Sequence, residues 1–287
     1  MIYLMENQTF PQERGHTISM DIKLIALDLD GTLLNSKKEI SPRNMKALRD
    51  CVARGIYVAI ASGRRLSDVS PLSDTIAPNL PFICANGAAA YLSKPFECVY
   101  CETLDVKDLR KIVDVFEKER IYYQVYMDDG SVMVSRFAEV FSYANYENIV
   151  MNNGDEMVKY VGSGALKVIC IDNDPARIEK MRKAISALNV GEISSSWSNN
   201  IEVLAKGVSK GSSLTALAER LGLTPDQCMA FGDNGNDVGM FRAAGFSVCM
   251  ANGSDEAKAA ASYITLSNDE DGVAVAIEKL ILDPEGE

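Results

Sequence analysis

Asp28-Leu29-Asp30-Gly31-Thr32 sets two carboxylates two residues apart at the end of an apolar run. Ser62-Gly63-Arg64 closes a second such run, and Gly232-Asp233-Asn234-Gly235-Asn236-Asp237 closes a third. Asp, Gly, Asn and Ser dominate ordinary turns, so each segment alone reads as a turn. Together they say more, because Asp28 follows five apolar residues in six (Ile22 to Leu27), and a carboxylate buried there unpaired would cost several kcal/mol. Asp28, Asp30 and Asp233 offer hard oxygen ligands with backbone carbonyls beside them, a donor set that suits Mg²⁺ better than a softer metal. No His or Cys cluster competes, since the one histidine, His16, lies in an unpatterned segment. A bound dication would cancel local negative charge and admit a phosphate dianion. A carboxylate is also a competent nucleophile toward phosphorus, giving an acyl phosphate that water can hydrolyse. Two carboxylates in close sequence allow one to attack while the other protonates the leaving oxygen.

Lys210 is an independent signal. It opens the segment Ser209-Lys210-Gly211-Ser212-Ser213-Leu214, at the expected start of a helix, where the macrodipole disfavours a cation. Its placement makes sense if an anion binds at the same end, the alternative being a solvated surface lysine. Gly211-Ser212-Ser213 lacks the Walker pattern, which excludes an NTPase phosphate loop.

The elements that must carry these residues follow from periodicity. Ile22 to Leu27, Ile56 to Ala61, Phe82 to Ala85, Cys228 to Phe231 and Phe246 to Met250 are short apolar runs, as expected of strands buried on both faces of a parallel sheet. Ser41-Pro42 reads as an N-cap and first helical position, with Met45, Leu48 and Val52 at helical spacing and Gly55 closing the element. Helices are likewise expected over 209–221 and 235–244, and from Asp271-Gly272 through Leu282. Strand, helix, strand at this rhythm predicts βαβ units in a doubly wound sheet. In such sheets ligands bind beyond the carboxyl ends of the strands, so polar residues at several ends converge on one site. The middle of the chain has another texture. A charged amphipathic helix spans 105–120, a Tyr-rich alternating strand runs Ile121 to Met127, and a further strand and helix occupy 165–172 and 175–188. Its strands read as having one wet face, as in an open α+β sheet. The division expected is an extension over 1–20, a core over 21–87 and 205–287, and an inserted α+β module over 88–204.

Composition narrows the class. Of the 287 residues 47% are apolar and 24% charged, within the range of a globular protein of about two domains. The net charge of −11 repels polyanions, which argues against nucleic acid and polybasic membrane docking as partners. No run approaches the roughly 20 apolar residues of a membrane helix. The first twenty residues lack the basic and apolar regions of a secretory signal, and Met20 is an alternative start. The seven cysteines are odd in number and scattered, as expected of free thiols in a reducing cytoplasm. Cys98-Val-Tyr-Cys101 has CxxC spacing without a second pair or a histidine. Nothing in the sequence sets an oligomeric state.

The four segments in this order, Asp28-Leu29-Asp30-Gly31-Thr32-Leu33, Ser62-Gly63-Arg64, Lys210-Gly211 and Gly232 to Asp237, resemble the four motifs of the haloacid dehalogenase superfamily. The long insert between the second and third is similar to the type IIB cap of the Cof-type sugar phosphatases. Asn86-Gly87-Ala88, Ile201-Glu202-Val203 and Asn268 to Ala274 add supporting matches, and the resemblance covers about residues 21–282. It implies a Rossmann-like α/β core with an inserted cap, and a cytoplasmic, Mg²⁺-dependent phosphatase of small phosphorylated metabolites. Asp28 would then be the nucleophile and Asp30 the general acid and base. Asp28, Asp30 (through its carbonyl) and Asp233 would hold the metal, with Asp237 supporting the metal shell or Lys210. Thr32, Ser62, Gly63, Arg64, Lys210 and Asn236 would contact phosphate or substrate. Cap candidates for reading the leaving group are Tyr123, Tyr126, Trp197, Asn199, Asn200 and Glu202. Two departures stand out: about twenty residues precede the first strand, and Gly253 stands where the family often has Ala. Two rivals keep the same residues. A phosphosugar mutase would return the phosphoryl group to a sugar, and a receiver-like phospho-switch would have no acid two residues after the nucleophile. Asp30 argues for turnover.

Overall fold

The computed structural model describes residues 21–283 apart from 94, 138–148, 163 and 198. The extension over 1–20, with His16, lies outside the described residues. The early strands are β1 (Leu24–Asp28), β2 (Tyr57–Ala61), β3 (Phe82–Cys84), β4 (Ala89–Tyr91) and β5 (Cys98–Cys101). The middle of the chain supplies β6 (Tyr122–Met127), β7 (Val132–Ser135), β8 (Ile149–Met151), β9 (Ala165–Ile171), β10 (Glu192–Ser194) and β11 (Asn200–Leu204). The last are β12 (Cys228–Gly232), β13 (Phe246–Cys249) and β14 (Tyr263–Ile264).

Two sheets result. An eight-stranded sheet runs β14-β13-β12-β1-β2-β3-β4-β5 and a six-stranded one β10-β11-β9-β6-β7-β8. From β14 to β3 the first sheet is parallel, as its continuous apolar runs require; β4 and β5 join antiparallel. Side chains alternate across it. Ile25, Leu27 and Ile60 pack with Leu48, Val273 and Ile277 of the helices Pro42–Ala53 and Gly272–Ile277. Leu24, Ala26 and Ala59 face Leu214, Leu217 and Phe241 of the helices Lys210–Arg220 and Val238–Ala243. Helices on both faces make the sheet doubly wound, the expected α/β class. The expected caps form: the Ser41 hydroxyl accepts from the Asn44 N–H, and Pro42 opens the helix.

The structure differs from the sequence reading in two ways. β4 and β5 fall within 88–204 yet pair with the first sheet, so the second sheet begins only at β6. Ala89-Ala90-Tyr91 is too short to carry a strand signature, and its place is set by pairing with β3. The six-stranded sheet also has no wet face on its central strands, because β6 and β9 are buried along their whole length. Tyr123, Val125, Val168 and Cys170 pack under the helices Val106–Glu119, Gly154–Val161 and Pro175–Leu188. The opposite face carries the polar Gln124, Lys167 and Glu202, each at most 2% exposed. Polar side chains made that face look wet in sequence; it is instead turned toward the carboxyl ends of the core strands.

Candidate active site

The carboxyl ends of β1, β2 and β12 deliver the three polar segments to one place. A cavity of about 410 Å³ opens there, lined on the core side by Asp28, Asp30, Ser62, Gly63, Arg64, Asp233 and Asn236. Tyr126, Lys167, Ile169, Ser196, Trp197 and Glu202 line it from the second sheet. At its floor Lys210 is wholly buried, with its ammonium 2.5 Å from Asp28 Oδ1 and 2.6 Å from Asp237 Oδ1. Burial works against the lysine's charge, but Asp237 and Asp28 outweigh it and hold the ammonium firmly protonated. The other oxygen of Asp237 accepts from the backbone N–H groups of Asp233 and Asn234 at 2.9 and 3.0 Å. Asp237 therefore binds its own loop to Lys210, and the Ser209 cap starts the helix that carries Lys210.

Asp28, Asp233 and Asp237 bring one carboxylate oxygen each within 4.8 Å of the others. Burial raises the Asp28 carboxyl well above the ordinary range, with Asp237 and Asp233 adding to it against the pull of Lys210. Asp233 is pushed up to about 6, by burial first and then by Asp237. Three half-desolvated or buried carboxylates against one ammonium leave an excess of negative charge, which a hard, oxygen-preferring dication would relieve. With Asp237 engaged on both oxygens, Asp28 and Asp233 are the carboxylates that remain for it. Gly31 makes room for this arrangement: with φ at +90°, a Cβ there would meet Asp233 Oδ2 at 2.6 Å.

Two of the expected substrate contacts are engaged within the protein. Thr32 is fully buried and gives its hydroxyl to Asp233 Oδ1 at 2.8 Å, steadying that carboxylate outside the cavity wall. Arg64 lines the cavity but grips Asp30 with both ends of its guanidinium, at 2.8 and 3.0 Å, and Lys38 adds a third contact at 3.0 Å. Burial would raise the Asp30 carboxyl; Arg64 and Lys38 overcome that and hold it below its usual value. Lys38 had no motif to announce it.

Of the six candidates in the insert, Tyr126, Trp197 and Glu202 line the cavity, Trp197 at its rim with 48% exposure. Tyr123 does not: its ring packs against Phe116 and its hydroxyl donates to Glu117, on the far side of the sheet. Asn200 is buried behind Glu202, to which its amide donates at 3.3 Å. Asn199 is half-buried and outside the lining. Lys167 completes the wall, without a sequence signal of its own; Asn86, which the sequence did single out, lies outside the lining and donates its amide to Glu202 at 2.7 Å. Asn268 braces the first loop from the other end of the chain, its side chain donating to the Leu34 carbonyl at 2.8 Å.

The arrangement offers a buried carboxylate paired to a lysine, a second carboxylate at the cavity mouth, an oxygen-rich cation niche and amide donors. That set fits phosphoryl transfer. Comparisons with known proteins agree. Residues 25–277 match the family model of haloacid dehalogenase-like hydrolases. The chain is 35% identical over 266 residues to the 5-amino-6-(5-phospho-D-ribitylamino)uracil phosphatase YcsE of Bacillus subtilis, covering 92% of this chain and 97% of that one. It is 28% identical over 264 residues to the pyridoxal phosphate phosphatase YbhA of Escherichia coli, covering 89% and 97%. A solved haloacid dehalogenase-like hydrolase from B. subtilis superposes with a TM-score of 0.80 at 28% identity, over 91% of this chain and all of that one.

Proposed function

Because the chain belongs to the haloacid dehalogenase-like hydrolases, of the Cof type, we propose that it is a Mg²⁺-dependent phosphatase of small phosphorylated metabolites that works through an aspartyl phosphate on Asp28. The observation that supports this most is the buried Asp28–Lys210–Asp237 triplet opening into a cavity walled by a second sheet. Asp28 and Asp233 would hold the ion together with the Asp30 carbonyl, and the ion would screen the carboxylates and polarise the phosphoryl group. Ser62, Gly63, Lys210 and Asn236 surround the place where the phosphoryl oxygens would lie. Lys210 keeps its charge in a dry setting, where it counts most against the charge of the transition state.

In the first step an Asp28 oxygen forms a bond to phosphorus while the bond from phosphorus to the leaving oxygen breaks. The leaving oxygen takes a proton from Asp30. Water then adds to the phosphorus of the acyl phosphate, passing its proton to Asp30, and the bond to Asp28 breaks to release phosphate. Asp30 must carry a proton at the outset, and in this structure Arg64 and Lys38 hold it ionised. A phosphate dianion entering the cavity competes for both cations, so substrate binding itself would free Asp30 to be protonated.

Tyr126 and Trp197 in the wall fit a leaving group with a flat or ring-shaped part, in line with the aromatic rings named for both phosphatase relatives. A cytoplasmic setting fits the seven free cysteines, and no described helix is long and apolar enough to cross a membrane. Release of inorganic phosphate from a panel of small esters, with Mg²⁺ and with EDTA, tests the proposal. Asp28→Asn run alongside should lose turnover by on the order of 10⁴-fold or more, as nucleophile removal does elsewhere. Release of phosphate that is insensitive to both EDTA and this substitution would sink it.

A further inference from the structure

The roof of the cavity carries a buried ion pair that the proposed chemistry does not use. Lys167 on β9 and Glu202 on β11 lie 2.5 Å apart. The Glu202 carboxylate accepts from Lys167 and Asn86 on Oε2 and from Ser196 and Asn200 on Oε1. The Lys167 ammonium donates in addition to the Gly63 carbonyl at 2.8 Å and stands 4.6 Å over the Tyr126 ring. Both Glu202 oxygens thus accept twice inside the protein, and Lys167 spends two of its three N–H donors there and lies over a ring, which ill suits the pair to read a leaving group.

Their partners lead instead to the phosphate end of the cavity. A carboxylate can only accept, so Asn86 must turn its NH₂ toward Glu202, at 2.7 Å, and its carbonyl away. That carbonyl, Asn86 Oδ1, accepts from Asn236 Nδ2 at 3.3 Å. Asn236 must then present its own NH₂ on this side, and the second hydrogen of that nitrogen is available to an acceptor in the cavity it lines. The Glu202 carboxylate, all acceptor and held in place by Lys167, thereby fixes the polarity of two amides in series. The backbone supports the same linkage. Ala85 and Asn86 are both left-handed, with φ of 50° and 56°, and their N–H groups donate to the Arg64 and Ser62 carbonyls at 2.9 and 3.1 Å. Gly63 lets Asn86 lie against the Ser62–Arg64 loop, since a Cβ there would meet Asn86 Oδ1 at 2.9 Å.

Resting on the phosphatase reading, we infer that Lys167 and Glu202 are positioning residues: through Asn86 Glu202 aims an N–H of Asn236 at the bound phosphate, and through Gly63 Lys167 fixes the phosphate loop under the second sheet. The roof and the phosphate site are then one hydrogen-bonded unit, and the pair acts on phosphate affinity whatever the leaving group.

Inorganic phosphate is the probe, titrated as an inhibitor and by calorimetry with Mg²⁺ present. Glu202→Leu removes the acceptor that Asn86 faces and so releases the polarity; an amide there would not, because Lys167 would keep its carbonyl on the shared side. Glu202→Leu should weaken phosphate binding roughly tenfold, the worth of one aligned hydrogen bond to a charged group, and lower kcat/KM by a similar factor for small and bulky esters alike. Asn236→Ala should do the same, and the double variant should be no weaker than Asn236→Ala alone. Asn86→Gly keeps the left-handed backbone accessible, removes the relay while leaving both partners of the ion pair in place, and should reproduce the loss if Glu202→Leu fails to fold. Additive losses in the double variant would overturn the inference. So would a loss confined to bulky esters, or a lowered thermal midpoint with phosphate affinity unchanged. A wild type that releases no phosphate overturns the underlying reading as well, whereas an active wild type with an unaffected Glu202→Leu overturns the inference alone.

Discussion

Lowering the pH of the metal-free protein should stabilise it, contrary to the usual effect of acid. Asp233 carries the effect. Its carboxyl titrates at about 6 in the folded chain against an ordinary 3.8, because burial and the Asp237 charge outweigh Thr32 and Lys210. Between those two values the folded state binds the proton and the unfolded state does not, so stability falls as pH rises. The contribution is fully present below about pH 3.8 and is gone above about pH 6. The gap between the two corresponds to about 3 kcal/mol. Asp28, raised in the same direction by burial and by its acidic neighbours, adds in the same sense. For a chain of 287 residues that amounts to roughly 5 °C in thermal midpoint. Urea denaturation in EDTA, taken in half-unit steps from pH 4.5 to 7.5, should read about 2 kcal/mol of this contribution. Ordinary carboxylates have nearly finished titrating over this range, so the slope isolates the raised ones. Asp233→Asn should flatten most of the slope and raise metal-free stability near pH 7. Because Mg²⁺ requires the ionised carboxylate, its stabilising effect on the wild type should grow above pH 6 and be largely lost in Asp233→Asn. A slope unchanged by Asp233→Asn would refute the account, as would Mg²⁺ stabilisation that is equal at pH 5 and pH 7.5.

Two further substitutions probe the same floor. Lys210→Met leaves Asp28 and Asp237 facing each other without their shared cation, and should cost about 3–5 kcal/mol in EDTA by denaturant titration, with part of the loss recovered in Mg²⁺ and no turnover restored. Gly31→Ala forces a Cβ onto Asp233 Oδ2 from a left-handed backbone, so it should destabilise by about 1–3 kcal/mol and weaken Mg²⁺ binding, read by calorimetry; an unchanged Mg²⁺ affinity would remove Asp233 from the ion's ligands.

The core of this architecture was legible because its signals are local. The run Ile22 to Leu27 can only be buried, Ser41-Pro42 can only start a helix economically, and Asp28 at the end of such a run demands partners. Short elements without periodicity were not legible. Ala89–Tyr91 is a strand only because β3 offers it an edge, which places β4 and β5 in the core sheet rather than in the insert. The insert misled in another way, since Gln124, Lys167 and Glu202 are polar, and polarity in sequence reads as contact with water.

By itself the sequence determined which side chains could do chemistry, and that they converge: strand ends in a parallel sheet share one edge, so Asp28, Ser62 and Asp233 had to meet. Only the tertiary structure decided how each is used. Thr32 turns to Asp233, Arg64 to Asp30, and Asp237 gives both oxygens to its own loop and Lys210. Lys38, Lys167 and Asn86 gain their partners from segments 8 to 116 residues away. The reason is physical: burial fixes where a side chain must lie, but the direction of a hydrogen bond depends on which donor or acceptor the fold sets opposite it, and that is absent from any local pattern.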